Sequence, residues 1–310
     1  MTFRVFNVLV LALIGLASTI SISIGYYGDI YGVYRDVRDR SLVTYQNERL
    51  TKFLFSYRYI PENFNAILVG SSITANWDTS AIAGVRMYNA SMSGANASEE
   101  ELIVRNVVRR RCPRLAVVTM FPYMTETHGR KSGDMRESDY WAGLGSINLL
   151  KSYAAKLLAE CGISKQIHNS FGINDFTTAV QNWDGAAGAG EVEEFKIDEI
   201  GMRDYATTIR ELRDCGATIV GVVPPLASAR WPQLRKAQDK YLARVRPLFE
   251  GREAIIDLND GKLTGFTERV ANFTDGAHLS HAAAKDIVGE LDRRLHDLGL
   301  LPVAPAAQAR

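Results

Sequence analysis

Residues 66–75 read AILVGSSITA, an apolar run that enters a glycine and is followed at once by two serines. A short apolar run that ends in turn-forming residues is typical of a strand buried in a parallel sheet. In such a sheet, functional groups gather at the carboxyl ends of the strands. The stretch therefore poses a choice: either Ser71 or Ser72 is a nucleophile, or both serines only form a turn of small residues.

Comparable apolar runs recur along the chain and alternate with helical patterns. The predicted strands are 67–72, 85–91, 115–121, 217–226 and 254–259. The predicted helices are 98–111, 147–161, 199–214, 232–249 and 281–298, the first of them opened by a capping box of Ser98 and Glu101. Strands that alternate with long helices predict a three-layer α/β/α fold with a mainly parallel sheet.

The N-terminal segment 5–28 carries no charged side chain and is long enough to cross a bilayer, for which about 20 apolar residues suffice. We favour an uncleaved membrane anchor over a signal peptide, because a signal peptide has a shorter apolar core. Arg4 precedes the segment, and Arg35, Arg38 and Arg40 follow it. Basic residues on both sides leave the orientation in the membrane open.

From these patterns we predict four parts of the chain. They are an N-terminal transmembrane anchor (1–28), a juxtamembrane helical stalk that docks on the domain (29–60), one α/β domain (61–300) and a short tail (301–310). Pro61 ends the stalk because proline interrupts a helical pattern.

Composition argues against some classes of function. The formal net charge is +1, and the tight basic cluster Arg109-Arg110-Arg111 falls at the end of a predicted helix, where it complements the helix dipole. We therefore expect no nucleic-acid partner. The three cysteines lack a CxxC spacing, so we expect no zinc site. One disulfide with a free thiol and three buried thiols both remain open.

A nucleophilic serine needs a base, and the best one lies near the other end of the chain. Residues 274–281 read TDGAHLSH, just before the last predicted helix. Asp275 and His278 have a spacing that lets the carboxylate orient one ring nitrogen while the other faces a nucleophile. A surface turn would have the same pattern. The strand-end serine and the Asp-x-x-His pair together are much more specific than either alone.

With these residues, the sequence resembles the SGNH (GDSL-like) hydrolases and acyltransferases over roughly residues 65–297. The Gly-Asp-Ser-like block of that family corresponds to Gly70-Ser71-Ser72, which makes Ser72 the matching nucleophile. The block NASMSG (89–94) corresponds to the one whose glycine N–H enters the oxyanion hole, and it points to Gly94. Asp275 and His278 match the last block. The resemblance implies a flavodoxin-like α/β/α fold and no cofactor.

This chain departs from the family pattern in one block. Where its members carry Gly-x-Asn-Asp after the third strand, this chain reads TMFPY (119–123), without that asparagine. Asn96 is a substitute candidate for the second oxyanion donor. Membrane-anchored members without the asparagine block include proteins of exopolysaccharide acylation, such as alginate O-acetylation. The resemblance therefore implies a domain outside the cytoplasmic membrane.

Two functions follow as expectations. The first is a serine esterase or O-acetyltransferase that acts on O-acyl groups of envelope glycans, with a membrane partner delivering the acyl group in the transferase case. The second is a degenerate domain that binds glycan or scaffolds an envelope complex. The triad is the same for water and sugar acceptors, so the sequence leaves hydrolase and transferase open, together with the glycan, the acyl donor and the oligomeric state.

Overall fold

A computed structural model describes residues 3–126, 135–174, 183–186 and 191–301. The chain begins with a long apolar helix, α1 (Phe3–Gly28), followed by the shorter helices α2 (Glu48–Tyr57) and α3 (Tyr59–Asn63). The predicted tail beyond residue 301 lies outside the described residues.

Five parallel strands form the central sheet. They are β1 (Ala66–Val69), β2 (Met87–Asn89), β3 (Leu115–Thr119), β4 (Thr218–Val223) and β5 (Ala254–Asp257). The strand order is β2-β1-β3-β4-β5, with every pair parallel. This is the order of flavodoxin-like sheets, in which the chain reverses direction across the sheet between β1 and β3. The predicted parallel α/β fold is confirmed.

Helices cover both faces of the sheet. The remaining helices are α4 (Ala97–Arg110), α5 (Ile147–Glu160), α6 (Glu199–Cys215), α7 (Trp231–Val245), α8 (Thr264–Thr267) and α9 (His281–Asp297). Alternate strand residues point to opposite faces. Accordingly Ile67 and Val69 share a buried cluster with α4, α6 and α7. Ala66 and Leu68 share another with α9. The predicted three layers are therefore present.

The start of α4 differs from the expectation. The capping residue is Asn96, whose side chain accepts the backbone N–H of Glu99 at 3.0 Å, while the Glu99 carboxylate accepts the N–H of Asn96 at 3.3 Å. Ser98 lies inside the helix and donates to Asp204. The predicted Ser98–Glu101 capping box is therefore wrong by two residues, because asparagine fits the extended conformation of the capping position as well as serine does.

The predicted helical stalk is helical only from Glu48 onward. In the preceding loop, the Asp29 carboxylate accepts backbone N–H groups of Val33 and Arg35 at 2.7 and 3.0 Å, and Arg40 forms an ion pair with it. A buried carboxylate satisfied in this way fixes a compact loop in place of a helix. Further along, Phe55 belongs to the main core. The boundaries of the four predicted parts stay a prediction.

Helix α1 exposes a predominantly apolar surface. An 18-residue window within it has a mean hydropathy of 2.3 and no buried residue. By length and composition the helix is able to cross a membrane, a description that an uncleaved anchor and a signal sequence both meet.

One disulfide joins Cys112, just before β3, to Cys215 at the end of α6, with a Cα–Cα distance of 5.6 Å. Cys161, at the end of α5, is exposed and free. The structure therefore selects the disulfide with a free thiol from the two arrangements that the sequence left open.

Candidate active site

Three residues from opposite ends of the chain meet beyond the carboxyl end of β1. The Ser72 Oγ lies 2.8 Å from the His278 Nε2, and the His278 Nδ1 lies 2.7 Å from the Asp275 Oδ2. A carboxylate that accepts the proton of Nδ1 leaves the lone pair of Nε2 directed at the serine. Ser72 therefore donates its hydroxyl proton towards a nitrogen able to receive it.

The loop that carries Asp275 holds it as a carboxylate. Partial burial favours the neutral acid, but the His278 ring and the backbone N–H groups of His278 and Ala277, at 2.8 and 3.0 Å, favour the charged form. Together they lower the pKa of Asp275 to about 2. Asp275 is therefore ionised at neutral pH and stabilises a positive charge on His278.

The two adjacent serines have different surroundings. Ser72 is partly exposed and contacts His278. The side chain of Ser71 is buried, and its Oγ has no hydrogen-bond partner among the described residues. Of the pair in GSS, only Ser72 is placed to act as a nucleophile on a bound substrate.

The turn after β1 is tightly packed. A side chain on Gly70 would overlap the hydroxyl groups of Thr74 and Thr119. The Asn89 Nδ2, at the end of β2, donates to the carbonyl oxygens of Thr74 and Trp77 at 2.8 and 3.0 Å. These contacts fix the serine turn against β2.

Ser72 opens a three-residue 3₁₀ turn, Ser72–Thr74. The carbonyl oxygens of Thr74 and Trp77 that accept the Asn89 amide also accept the backbone N–H groups of Trp77 and Thr79, at 3.1 and 2.9 Å, so the chain continues as tight turns. A turn of this length contributes little helix dipole at Ser72.

The loop after β2 lies against this turn, because the N–H of Met92 donates to the Gly70 carbonyl at 3.0 Å. Gly94, in the same loop, has a φ of 63°, a conformation that favours glycine. Asn96 is buried, and its side-chain oxygen is used in capping α4. The assignment of Ser72, Gly94 and Asn96 as oxyanion donors stays a prediction.

Side chains of α2 hold the loop that carries Gly94 through hydrogen bonds. The sequence analysis did not predict these contacts. The Arg49 Nη2 donates to the carbonyl oxygens of Ser93 and Gly94 at 2.9 and 2.8 Å. Arg49 also forms an ion pair with Glu99. The Ser93 carbonyl belongs to the same peptide group as the Gly94 N–H, so Arg49 fixes the plane of that peptide.

Two more residues of α2, Lys52 and Glu48, form hydrogen bonds with the same loop. The fully buried Lys52 Nζ donates to the Ser91 carbonyl at 2.5 Å, and the Glu48 carboxylate accepts the Ser93 N–H at 3.1 Å. Burial lowers the pKa of Lys52, although Glu48 opposes the shift. In the sequence, the sole signal was a set of charged residues one helical turn apart, which exposed helices share.

Two further side chains pack against the loop that carries Asp275 and His278. Gly276, between Asp275 and His278, has a φ of 86°, and a Cβ there would lie 2.7 Å from Arg230 and 3.2 Å from the Trp183 ring. Trp77, in contrast, is fully buried in the core.

No protein-family model matches the chain, and no curated protein matches it. Among solved structures, the chain is similar to one described as the crystal structure of the lipase/acylhydrolase from Enterococcus faecalis. The two share 13% sequence identity at a TM-score of 0.40, over 78% of this chain and 98% of that one. A similarity at this level is too low to transfer a function.

Proposed function

We propose that the chain is a membrane-anchored serine acyl-transfer enzyme of the SGNH type. The observation that carries the proposal is the chain of contacts from Ser72 through His278 to Asp275, at 2.8 and 2.7 Å, between residues about 200 positions apart. Its order along the chain, serine first and Asp-x-x-His last, agrees with the resemblance of the sequence to that family.

In the proposed reaction, the Ser72 Oγ attacks an ester carbonyl while the His278 Nε2 takes the hydroxyl proton. Asp275 stabilises the resulting imidazolium. Backbone N–H groups of Ser72 and Gly94, with Asn96 as a further donor, receive the negative charge of the tetrahedral intermediate. His278 then protonates the leaving alcohol, and an acyl-enzyme forms on Ser72. Water or a sugar hydroxyl then attacks this acyl-enzyme while His278 takes its proton, and His278 returns the proton to the Ser72 oxygen as the bond between that oxygen and the acyl group breaks.

We further propose that the substrates are O-acyl groups, chiefly O-acetyl, of envelope or exopolysaccharide glycans. The triad opens to solvent, with the His278 side chain 36% and the Asp275 side chain 55% exposed, which suits a polymer. Trp183, half-buried beside Gly276, is the aromatic side chain that we propose for contact with a sugar ring. If a sugar hydroxyl is the acceptor, a membrane partner would deliver the acyl group.

The proposed location is the outer side of the cytoplasmic membrane. Helix α1 supports an anchor by its length and hydropathy. The Cys112–Cys215 disulfide supports an oxidising compartment, because disulfides rarely persist in the cytosol.

The test uses the full chain in detergent with p-nitrophenyl acetate. We expect Ser72→Ala and His278→Ala each to lower kcat by about 10³-fold or more, since loss of either triad member removes nucleophilic attack. Ser71→Ala is the matched control and should retain activity, because the Ser71 hydroxyl is buried away from His278. If the wild type shows neither turnover nor fluorophosphonate labelling, the proposal that the chain is a serine acyl-transfer enzyme is contradicted.

A second candidate is a degenerate domain that binds glycan without catalysis. It is favoured by the residues that follow β3, Met120-Phe121-Pro122, where the family carries its asparagine donor. Proline has no backbone N–H to offer in its place. In this case the wild type would bind acetylated glycan without releasing acetate, and Ser72→Ala would bind as well as the wild type.

A further inference from the structure

The outer face of α5 is apolar although it is exposed. Large side chains on this face are 43% to 65% exposed: Ile147, Leu150, Leu157 and Leu158. At about 100° of rotation per residue, these four positions fall within about one third of the circumference of the helix and therefore form one stripe along it. Leu149 and Ser152, on the opposite face, are buried in the domain. Helix α5 is thus apolar on the side that a domain in water would make polar.

The same region contacts the end of α1. The Tyr153 hydroxyl of α5 donates to the Ile24 carbonyl of α1 at 3.1 Å. A side chain on Gly25 would meet the carbonyl oxygens of Gly143 and Leu144, just before α5. A Cβ on Gly145 would lie 3.4 Å from the Ser21 hydroxyl. The segment just before α5, together with Tyr153 on α5 itself, therefore lies against the C-terminal end of α1.

The level of this contact along α1 matches the thickness of a bilayer. Ser21 stands about 18 residues after Phe3, which is about 27 Å along an α-helix. The hydrocarbon layer of a bilayer is about 30 Å thick. If Phe3 lies at one surface of the bilayer, the contacts with α5 lie at the other.

The side chains around the junction suit an interface between lipid and water. Tyr26, Tyr27 and Trp141 are exposed near it, and aromatic residues of this kind concentrate at the level of lipid head groups. Lys151 is exposed and adjoins the apolar stripe. Lysine in such a position keeps its stem on apolar surface and its charge in water.

We propose that α5 lies in the surface of the bilayer, with the stripe Ile147, Leu150, Leu157 and Leu158 inserted among the head groups and upper acyl chains. The inference rests on α1 being a retained anchor, as in the proposed function. Helices of this kind sink about 5–10 Å into the boundary of head groups and acyl chains. The domain then has a second attachment to the membrane and is held in one orientation on its anchor.

The test places a fluorescent label on each of two positions in the full chain. Cys161→Ser removes the exposed free thiol, and Leu157→Cys then adds one on the stripe. Ala243→Cys in the same background is the matched control, because Ala243 is exposed on α7. Each protein carries a nitrobenzoxadiazole label in vesicles of phosphatidylcholine and phosphatidylglycerol. Dithionite reduction and quenching by a lipid with a nitroxide near its head group are then measured.

We expect the label at position 157 to be reduced several-fold more slowly than the label at 243, and to be the more strongly quenched by the nitroxide lipid. Equal reduction of both labels, in protein that stays with the vesicles after an alkaline wash, would overturn the inference and leave the anchor intact. Shielding of position 157 in detergent that rises with protein concentration, without nitroxide quenching, would assign the stripe to a second copy of the chain. Release of the protein by the wash would overturn the anchor and this inference together.

Discussion

At the scale of single residues, the serine turn depends on differences between neighbours. Gly70 allows close approach of Thr74 and Thr119, Ser71 is buried, and Ser72 alone contacts His278. A single position along this stretch therefore separates a packing residue from a candidate nucleophile.

We predict that Gly70→Ala lowers the free energy of unfolding by about 1–3 kcal/mol, because an added methyl group has no room between two hydroxyl groups. Gly289→Ala is the control, since Gly289 lies exposed in α9 with no atom close to where its Cβ would be. Alanine there should be neutral or stabilise by up to about 1 kcal/mol through helix propensity. Urea unfolding followed by circular dichroism measures both. Equal stability of the two variants would contradict the packing argument.

Glu48 makes the free energy of unfolding depend on pH. It lies 2.9 Å from the His168 Nε2 and 3.4 Å from the Lys52 Nζ. Burial opposes its charge, but Lys52 and then His168 prevail and lower its pKa from 4.5 to about 2. Because the folded-state pKa is the lower one, ionised Glu48 stabilises the fold above pH 4.5. This stabilisation is lost as pH falls from 4.5 to about 2.

We therefore predict that Glu48→Gln is less stable than the wild type at pH 7, by about 3 kcal/mol, because Lys52 loses its buried partner. The gap should narrow as the pH falls below 4.5. Urea unfolding of both proteins from pH 7 to pH 3 measures it. If the difference in free energy of unfolding between the two proteins stays constant over this range, the charge of Glu48 does not contribute to stability.

At the scale of elements, α2 fixes the loop that carries Gly94. We predict that Arg49→Met lowers kcat on p-nitrophenyl acetate by about 10–100-fold with little change in KM, because in the proposed mechanism the Gly94 N–H is an oxyanion donor and its displacement acts on the transition state. Arg49→Lys should recover part of the rate by retaining one donor to the Ser93 or Gly94 carbonyl. A rise in KM at unchanged kcat would instead assign Arg49 to substrate binding.

Sequence patterns sufficed for the elements whose signals are local. The five strands and the long helices follow from apolar periodicity, and the order of Ser72, Asp275 and His278 suggested their meeting. The loop built around Asp29 was missed because its backbone partners satisfy a buried carboxylate only in the folded chain. Arg49 and Lys52 donate hydrogen bonds to the carbonyl groups of Ser93 and Ser91. These contacts join elements that are distant in sequence, so no local sequence pattern predicts them.

At the scale of the whole molecule, the Cys112–Cys215 disulfide closes a loop of about 100 residues that contains β3, α5 and α6. Cross-linking a loop of that length stabilises a fold by about 4–5 kcal/mol in the chain-entropy description, and measured losses are about 2–5 kcal/mol. We predict a loss in that range for Cys112→Ala with Cys215→Ala. Cys161→Ser, at the exposed free thiol, should change stability by less than about 0.5 kcal/mol. If the protein without the disulfide is as stable as the Cys161→Ser protein, the disulfide is dispensable for stability.

Ser72 and His278 lie 206 residues apart in the chain. During synthesis the serine emerges long before its base, and all five strands precede the loop that holds Asp275. A nascent or prematurely terminated chain therefore carries an unactivated serine, whatever else it has folded. If Ser72 is the nucleophile, acyl transfer begins only once Asp275 and His278 have been synthesised and have folded against the serine turn, so the late arrival of this loop is itself the switch that turns the chemistry on.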